Sequence, residues 1–343
     1  MDDELLSQSR VLKGPYEVSF DITNHCNYRC LHCYNASGEN NVVCNELSDE
    51  EIYRMLKDLL TLEPNNVCFC GGEPLTRFDT LIKSIDILSE GGTPSISMVS
   101  NGYFASFEKL SQLKEHGLKR IQISLDGSNS ETCFKLRQNR EAYDKAVSAL
   151  KNSRDVGFKD INVAFCPTRF NIPELEQVIN TCIDLNVSYI RVQPLMAIGR
   201  ATHNLKEIMP TRDQYITMIQ ESKDFQDKYS SEIGIEWGDP LDHIFRYKDR
   251  MKNQNIFLSI RADGTICPSP YLPITVGNVR KHKLSEYWEF GLCRAWSMPQ
   301  VKEMADKIMC IGDMSGGTNG MPETWFDENI DIDIIDNNVF GKW

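Results

Sequence analysis

Cys26, Cys30 and Cys33 stand within eight residues of one another, in the polar stretch NHCNYRCLHCYN. Three thiolates so close together on a loop suit a single metal centre. A structural zinc site usually takes four ligands, most often as two separated cysteine pairs. A ferredoxin gives four thiolates to its cubane. Three thiolates leave one iron without a protein ligand, and an open coordination position is what a substrate-binding cluster needs. His25 precedes the triplet and His32 lies within it; both are available as a fourth ligand, so zinc stays open at this point.

The elements that must hold this loop form a regular pattern. Residues 17–23 (EVSFDIT) read as a strand leading straight into the cysteines. Ser48 begins a helix over 48–62, and Glu51 three residues later completes a capping box. NVCFC (66–70) reads as a strand ending at Gly71-Gly72, and 78–92 as a helix stopped by glycine. Strand and helix patterns then alternate to about residue 194, giving about six β/α units with short connections. Such repeats imply a parallel sheet with right-handed crossovers, either open or as a partial barrel. Both place chemistry at the C-terminal ends of the strands. The chemistry-bearing segments fall there: the cysteine loop, then GGEP (71–74), SNG (100–102) and SLDG (124–127).

With these four segments in order, the sequence resembles the radical SAM superfamily over residues 17–194. The resemblance implies a partial (β/α)6 barrel whose CxxxCxxC loop holds a 4Fe–4S cluster on Cys26, Cys30 and Cys33. It implies that the open iron chelates S-adenosylmethionine, which is cleaved to a 5′-deoxyadenosyl radical that abstracts hydrogen from a substrate. Carried over by position, Gly71, Gly72 and Glu73 receive the amino group of S-adenosylmethionine. Ser100, Asn101, Ser124 and Asp126 fall at ribose or methionyl contacts, His32 near the adenine, and Arg137 near the carboxylate. Judged without the family, Gly71-Gly72 is a tight turn, Asp126-Gly127 a turn dipeptide, and Arg137 a solvated residue at a helix start.

After Pro194 the alternation stops. Residues 261–288 resemble the SPASM or twitch extension of the same superfamily, through Asp263-Gly264, Gly277-Asn278 and Trp288. That resemblance implies an auxiliary iron–sulfur cluster in a small α+β appendage. Ser269 stands at the usual ligand position, and Cys267 lies two residues earlier, on the same side of an extended segment. Cys293 and Cys310 follow, and Asp313 takes the place of the second cysteine of a CxxC. These residues suffice for one auxiliary cluster and not for two. The alternative is a shrunken domain with inert, buried cysteines. The expected organisation is an extension over 1–16, the barrel over 17–194, the SPASM/twitch-like domain over 195–322, and an acidic, loosely ordered tail over 323–343. The scattered cysteines default to core positions. Cys70, just before GGEP, and Cys166, ending the fifth strand, are candidate hydrogen-atom donors if they face the barrel interior.

Composition bounds the function. A formal charge of -12 over 343 residues disfavours a general nucleic-acid binder, which needs a basic face. No apolar run is long enough to span a membrane. The acidic start MDDELLSQSR is no export signal, so twelve cysteines point to metal ligands and thiols in a reducing cytoplasm. The SPASM-like resemblance implies a precursor peptide substrate undergoing crosslinking or epimerisation, with flavodoxin or ferredoxin as low-potential electron donor. The cluster loop starts at residue 26, so an N-terminal leader-recognition domain is not expected. Radical modification of a small molecule or tetrapyrrole is the runner-up. A non-catalytic iron–sulfur or electron-transfer protein is the third reading, and an open iron argues against it.

Overall fold

A computed structural model describes residues 12–39, 45–250, 255–314 and 330–340. Cys44 and most of the 1–16 extension lie outside the described residues, as does 315–329, which takes in the start of the acidic tail.

The barrel is built on strands β1 (Glu17–Thr23), β2 (Asn66–Gly71), β3 (Ser95–Ser100), β4 (Arg120–Ser124), β5 (Asp160–Phe165) and β6 (Tyr189–Val192). All six pair in parallel in sequence order. Between them run helices α1 (Asp49–Leu60), α2 (Phe78–Glu90), α3 (Phe107–His116), α4 (Ser130–Arg137), α5 (Ala142–Val156) and α6 (Leu175–Asp184). The predicted capping box is present: Glu51 N–H donates to Ser48 Oγ at 3.3 Å, and Ser48 N–H donates to Glu51 Oε2 at 2.8 Å.

The parallel sheet is wider than the sequence suggested. β7 (Gly234–Trp237) adds in parallel to β6, and β8 (Phe257–Ile260) adds in parallel to β1. Both strands belong by sequence to the segment expected as a separate appendage. β9 (Thr265–Cys267) and β11 (Gly277–Asn278) then continue antiparallel beyond β8, and β7 and β8 do not pair with each other. The result is an open, barrel-like α/β sheet of ten strands. The two added strands escaped the alternation because no regular βα unit connects them. β7 follows helix α7 (Arg212–Lys228) directly, while β8 follows the short helix α8 (Pro240–Phe245) and an irregular segment.

The strands read apolar outward and polar inward. Val18, Phe20 and Ile22 of β1 are fully buried, as are Val67 and Phe69 of β2 and Ile121 and Ile123 of β4. Parallel strands packed on both faces usually read as continuous apolar runs. The alternation here marks an inner face that lines a polar cavity.

Within the tail, residues 330–340 pack against the C-terminal segment, where the sequence implied a loose end. β12 (Ile330–Asp331) pairs in parallel with β10 (Ile274–Thr275). Tyr287, in helix α9 (Leu284–Glu289), donates its hydroxyl to Asp333 Oδ2 at 2.7 Å, and Ile334 is fully buried. These anchors are a single strand pair and one buried hydroxyl, which leave no periodic pattern in the sequence. Among the described residues no helix is long and apolar enough to cross a membrane.

Candidate active site

Two arginines fix the cysteine loop at the end of β1. Arg29 donates to the carbonyls of Cys26 and Tyr28, each at 2.8 Å. Arg200, from the segment after β6, donates to the carbonyls of Cys30 at 2.9 Å and Ser37 at 2.8 Å, and pairs with Glu39 at 2.7 Å. Its own N–H donates to the Cys33 carbonyl at 2.9 Å. Sequence reasoning missed Arg200, because nothing local marks an arginine that acts on a loop 170 residues away.

The glycine pair after β2 lies directly on this loop. Gly72 N–H donates to Thr23 O at 2.7 Å, and Glu73 N–H donates to His25 O at 2.9 Å. Gly71 has φ +123, and a Cβ there would stand 2.2 Å from Thr23 O. A Cβ on Gly72 would stand 2.2 Å from His25 O. Backbone approach this close admits only glycine.

Glu73 lies behind the glycines, with no exposure to solvent. Its Oε1 accepts Ser100 Oγ–H at 2.9 Å and Leu75 N–H at 3.1 Å, and its Oε2 accepts Asn101 N–H at 2.8 Å. Burial pushes the carboxyl upward from its ordinary value, and these donors oppose the shift. The carboxylate thus joins the end of β2 to the end of β3. Asn101 in turn places Nδ2 at 3.9 Å from Cys26 Sγ and at 2.9 Å from Asn27 Oδ1.

Asp126 is equally enclosed. Arg137 Nη2 pairs with its Oδ2 at 2.5 Å, His32 Nε2 lies 3.6 Å away, and Cys166 N–H donates to its Oδ1 at 2.8 Å. Arg137 is therefore a buried residue at the end of a helix that the sequence pattern does not resolve, rather than a solvated one at a helix start. Asn129 caps that helix by accepting Thr132 N–H at 3.0 Å. Burial pushes His32 down to about 4, so its ring is neutral.

One cleft of about 320 Å³ is lined by Cys26, Cys30, Cys33, His32, Gly71, Gly72, Ser100, Asn101, Ser124 and Arg137. Cys70 lines it as well, and so does Cys68; the strand alternation turns both inward, away from the core position expected of Cys68. Cys166 instead packs beside Leu136, Leu195 and Ala201. Tyr271 and Pro270 close the cleft from the C-terminal segment.

The residues present fit a cluster and its ligand. Three thiols face one cleft whose walls carry buried polar atoms without partners: His32 Nδ1, Arg137 Nε and Tyr28 OH. Such atoms are costly unless a bound group satisfies them. Burial pushes the Cys26 thiol up to about 11 and Cys30 up to about 12, so loading a metal must displace their protons.

The C-terminal cysteines lie on separate elements. Cys267 is buried at the end of β9, and that burial pushes its thiol upward from the ordinary value. Cys293 is buried in the turn Leu292–Ser297, and its carbonyl accepts Asn255 N–H at 2.7 Å. Cys310 is exposed. Asp313 Oδ2 accepts the N–H groups of Met309 and Cys310, each at 2.9 Å, and so closes a turn. Ser269 is buried, with its Oγ accepting Tyr271 N–H at 3.1 Å.

Residues 20–182 match the model of the Radical SAM superfamily. The protein therefore carries a radical SAM domain and is a radical SAM enzyme, with a 4Fe–4S cluster and S-adenosylmethionine as its cofactors. Among curated proteins it is similar to the AdoMet-dependent heme synthase of Methanosarcina barkeri, 23% identical over 301 residues, covering 80% of this chain and 82% of the relative. Among solved structures it shares its fold with SuiB of Streptococcus suis bound to S-adenosylmethionine. The TM-score is 0.70 at 15% identity, over 94% of this chain and 78% of that one. Native anSMEcpe with bound AdoMet and Kp18Cys peptide gives a TM-score of 0.65 at 14% identity, over 94% and 95% of the two chains.

Proposed function

We propose that this radical SAM enzyme modifies a peptide at an unactivated carbon, by crosslinking or epimerisation. The observation that carries the reading is the single cleft in which the triplet cysteines, the glycine pair and the ends of β3 and β4 meet, roofed by Tyr271 and Pro270. The free edges of the ten-stranded sheet are β7 and β11, and the gap between these ends is the side entrance proposed for an extended peptide. Support also comes from SuiB, solved with its precursor peptide SuiA and similar to this protein at a TM-score of 0.66.

In this reading Cys26, Cys30 and Cys33 hold the cluster. Gly71, Gly72, Ser100, Asn101, Ser124, His32 and Arg137 contact S-adenosylmethionine, while Glu73 and Asp126 hold those contacts in place. When bound, the cofactors supply one-electron cleavage of the sulfonium and abstraction of a hydrogen atom from the substrate. The enclosed walls exclude water from that chemistry, and Cys70 stands in the cleft as a hydrogen donor. One auxiliary cluster on Cys267, Cys293 and Cys310, with Asp313 or the substrate as fourth ligand, is part of the proposal. So are a flavodoxin or ferredoxin as electron donor and a cytoplasmic location. A second reading, modification of a tetrapyrrole or other small molecule, is favoured by the heme synthase relative.

The test is anaerobic reconstitution with strong reductant and S-adenosylmethionine, followed by mass spectrometry of peptides encoded beside the gene. A two-hydrogen loss marks crosslinking, and deuterium uptake at unchanged mass marks epimerisation. Unchanged peptides alongside turnover of a tetrapyrrole would replace this reading with the second. Joint replacement of Cys26, Cys30 and Cys33 by alanine is expected to abolish 5′-deoxyadenosine formation in a folded protein.

A further inference from the structure

Among the described residues, the inward face of the barrel carries one arginine that makes no ion pair. Arg191, on β6, lines both the cysteine cleft and a second cavity of about 440 Å³ that continues along the lumen toward the strand N-termini. The other arginines lining these two cavities are paired: Arg137 with Asp126 at 2.5 Å and Arg120 with Asp160 at 2.5 Å. Arg191 makes no ion pair within 4.0 Å among the described residues, and its Nε is buried without a hydrogen-bond partner.

Besides Asp160, two acids line this second cavity, and neither pairs with Arg191 within 4.0 Å. Glu236 is the register partner of Arg191 on β7, but its carboxylate receives the Tyr189 hydroxyl. Glu17 accepts the Asn66 amide at 3.5 Å. The guanidinium end of Arg191 packs against the residue that follows β7: a Cβ on Gly238 would stand 2.3 Å from Arg191 Nε. Neutral polar groups of Gln122, Gln193 and Ser19 complete that wall of the cleft. An enclosed guanidinium with an unused donor favours an anion, and its planar fork matches a carboxylate.

We propose that Arg191 is a specificity residue that binds a carboxylate of the substrate in the barrel lumen. The carboxylate belongs to an acidic side chain, the C-terminus of a peptide or an acid group of a small molecule. The inference deepens the function proposed above and rests on it only in taking the lumen as the substrate's place.

The experiment uses the reconstituted enzyme with S-adenosylmethionine bound, titrated by calorimetry. The probes are a terminally blocked tripeptide with a central glutamate and its glutamine counterpart, the same glutamine peptide with a free C-terminus, and glutarate with glutaramate. At least one acid is expected to bind about tenfold or more tightly than its amide, the discrimination of a hydrogen-bonded charge. Arg191→Gln is expected to bring the ratio to about one, and Arg191→Lys to leave it intermediate, since a point charge keeps attraction and loses the fork. The affinity for S-adenosylmethionine and the melting temperature are expected to hold in both variants. A wild-type ratio near one for every pair, or a ratio that survives Arg191→Gln, overturns the proposal. A matching loss of S-adenosylmethionine affinity would assign Arg191 to the cofactor and overturn it too. Peptides that bind without acid preference leave the peptide reading standing while this inference fails. Glutarate discriminated through Arg191, with no peptide bound, upholds the carboxylate site and removes the peptide reading.

Discussion

His243 shows how strongly one enclosed ring ties this fold to pH. It packs among Tyr247, Phe257, Tyr271 and Trp296, and its Nε2 is buried without a partner. Burial pushes it down to about 3, with Arg246 and Arg191 adding to the shift. Above about 6.5 the imidazole is neutral in both the folded and the unfolded state, so it contributes no pH dependence. Below that the unfolded state takes up a proton that the folded one refuses, and stability is lost as pH falls toward 3. The slope is ~1.4 kcal/mol per pH unit. His243→Phe is expected to flatten the fall in melting temperature between pH 6.5 and 4.5, measured by calorimetry across that range. An unchanged slope would show that this histidine is protonated in the folded state.

At the scale of elements, the site depends on two loops pressed together without side chains between them. Gly72 meets the cysteine loop at His25 O, and Arg200 grips the same loop from the other side. Gly72→Ala must push the loop away, at a cost of about 1–3 kcal/mol of overpacking. The expected result is poorer iron retention and a fall of about tenfold or more in 5′-deoxyadenosine formation, since misplaced groups lose rate steeply. Arg200→Ala is expected to reduce bound iron while the parallel sheet stays folded, read by iron assay and circular dichroism. Normal iron content in both variants would mean that the triplet holds its geometry unaided.

Across the whole molecule, the C-terminal segment is bound into the barrel rather than hung from it. Arg280 pairs with Glu51 on α1 at 2.7 Å, and Ser285 donates to Asp58 Oδ1 at 2.6 Å. Asp333 anchors the tail by accepting the Tyr287 hydroxyl and the N–H groups of Ile335 and Asp336, each N–H at 3.1 Å. Asp333→Ala leaves that buried hydroxyl only the longer contact to Asn278 O at 3.3 Å and is expected to cost about 1 kcal/mol, seen as a lower calorimetric melting temperature. The auxiliary cluster is tested in the variant lacking Cys26, Cys30 and Cys33. Iron is expected to remain at about four per protein molecule, the content of one cubane. Near-zero iron there would leave Cys267, Cys293 and Cys310 as ordinary thiols.

The sequence by itself determined the radical SAM domain and its cofactors, because the cysteine spacing and the β/α period are local patterns that short segments express alone. It also placed GGEP, SNG and SLDG at strand ends, since a parallel sheet sends every such turn to one side. Tertiary structure decided what depends on distant partners. It put β7 and β8 into the main sheet, buried Arg137 against Asp126, turned Glu73 behind the cleft and seated the tail on α9. Among the described residues it also left Arg191 without an ion pair in a polar lumen. Burial and pairing between residues far apart in sequence leave no period or motif to read, so only the folded arrangement reveals them.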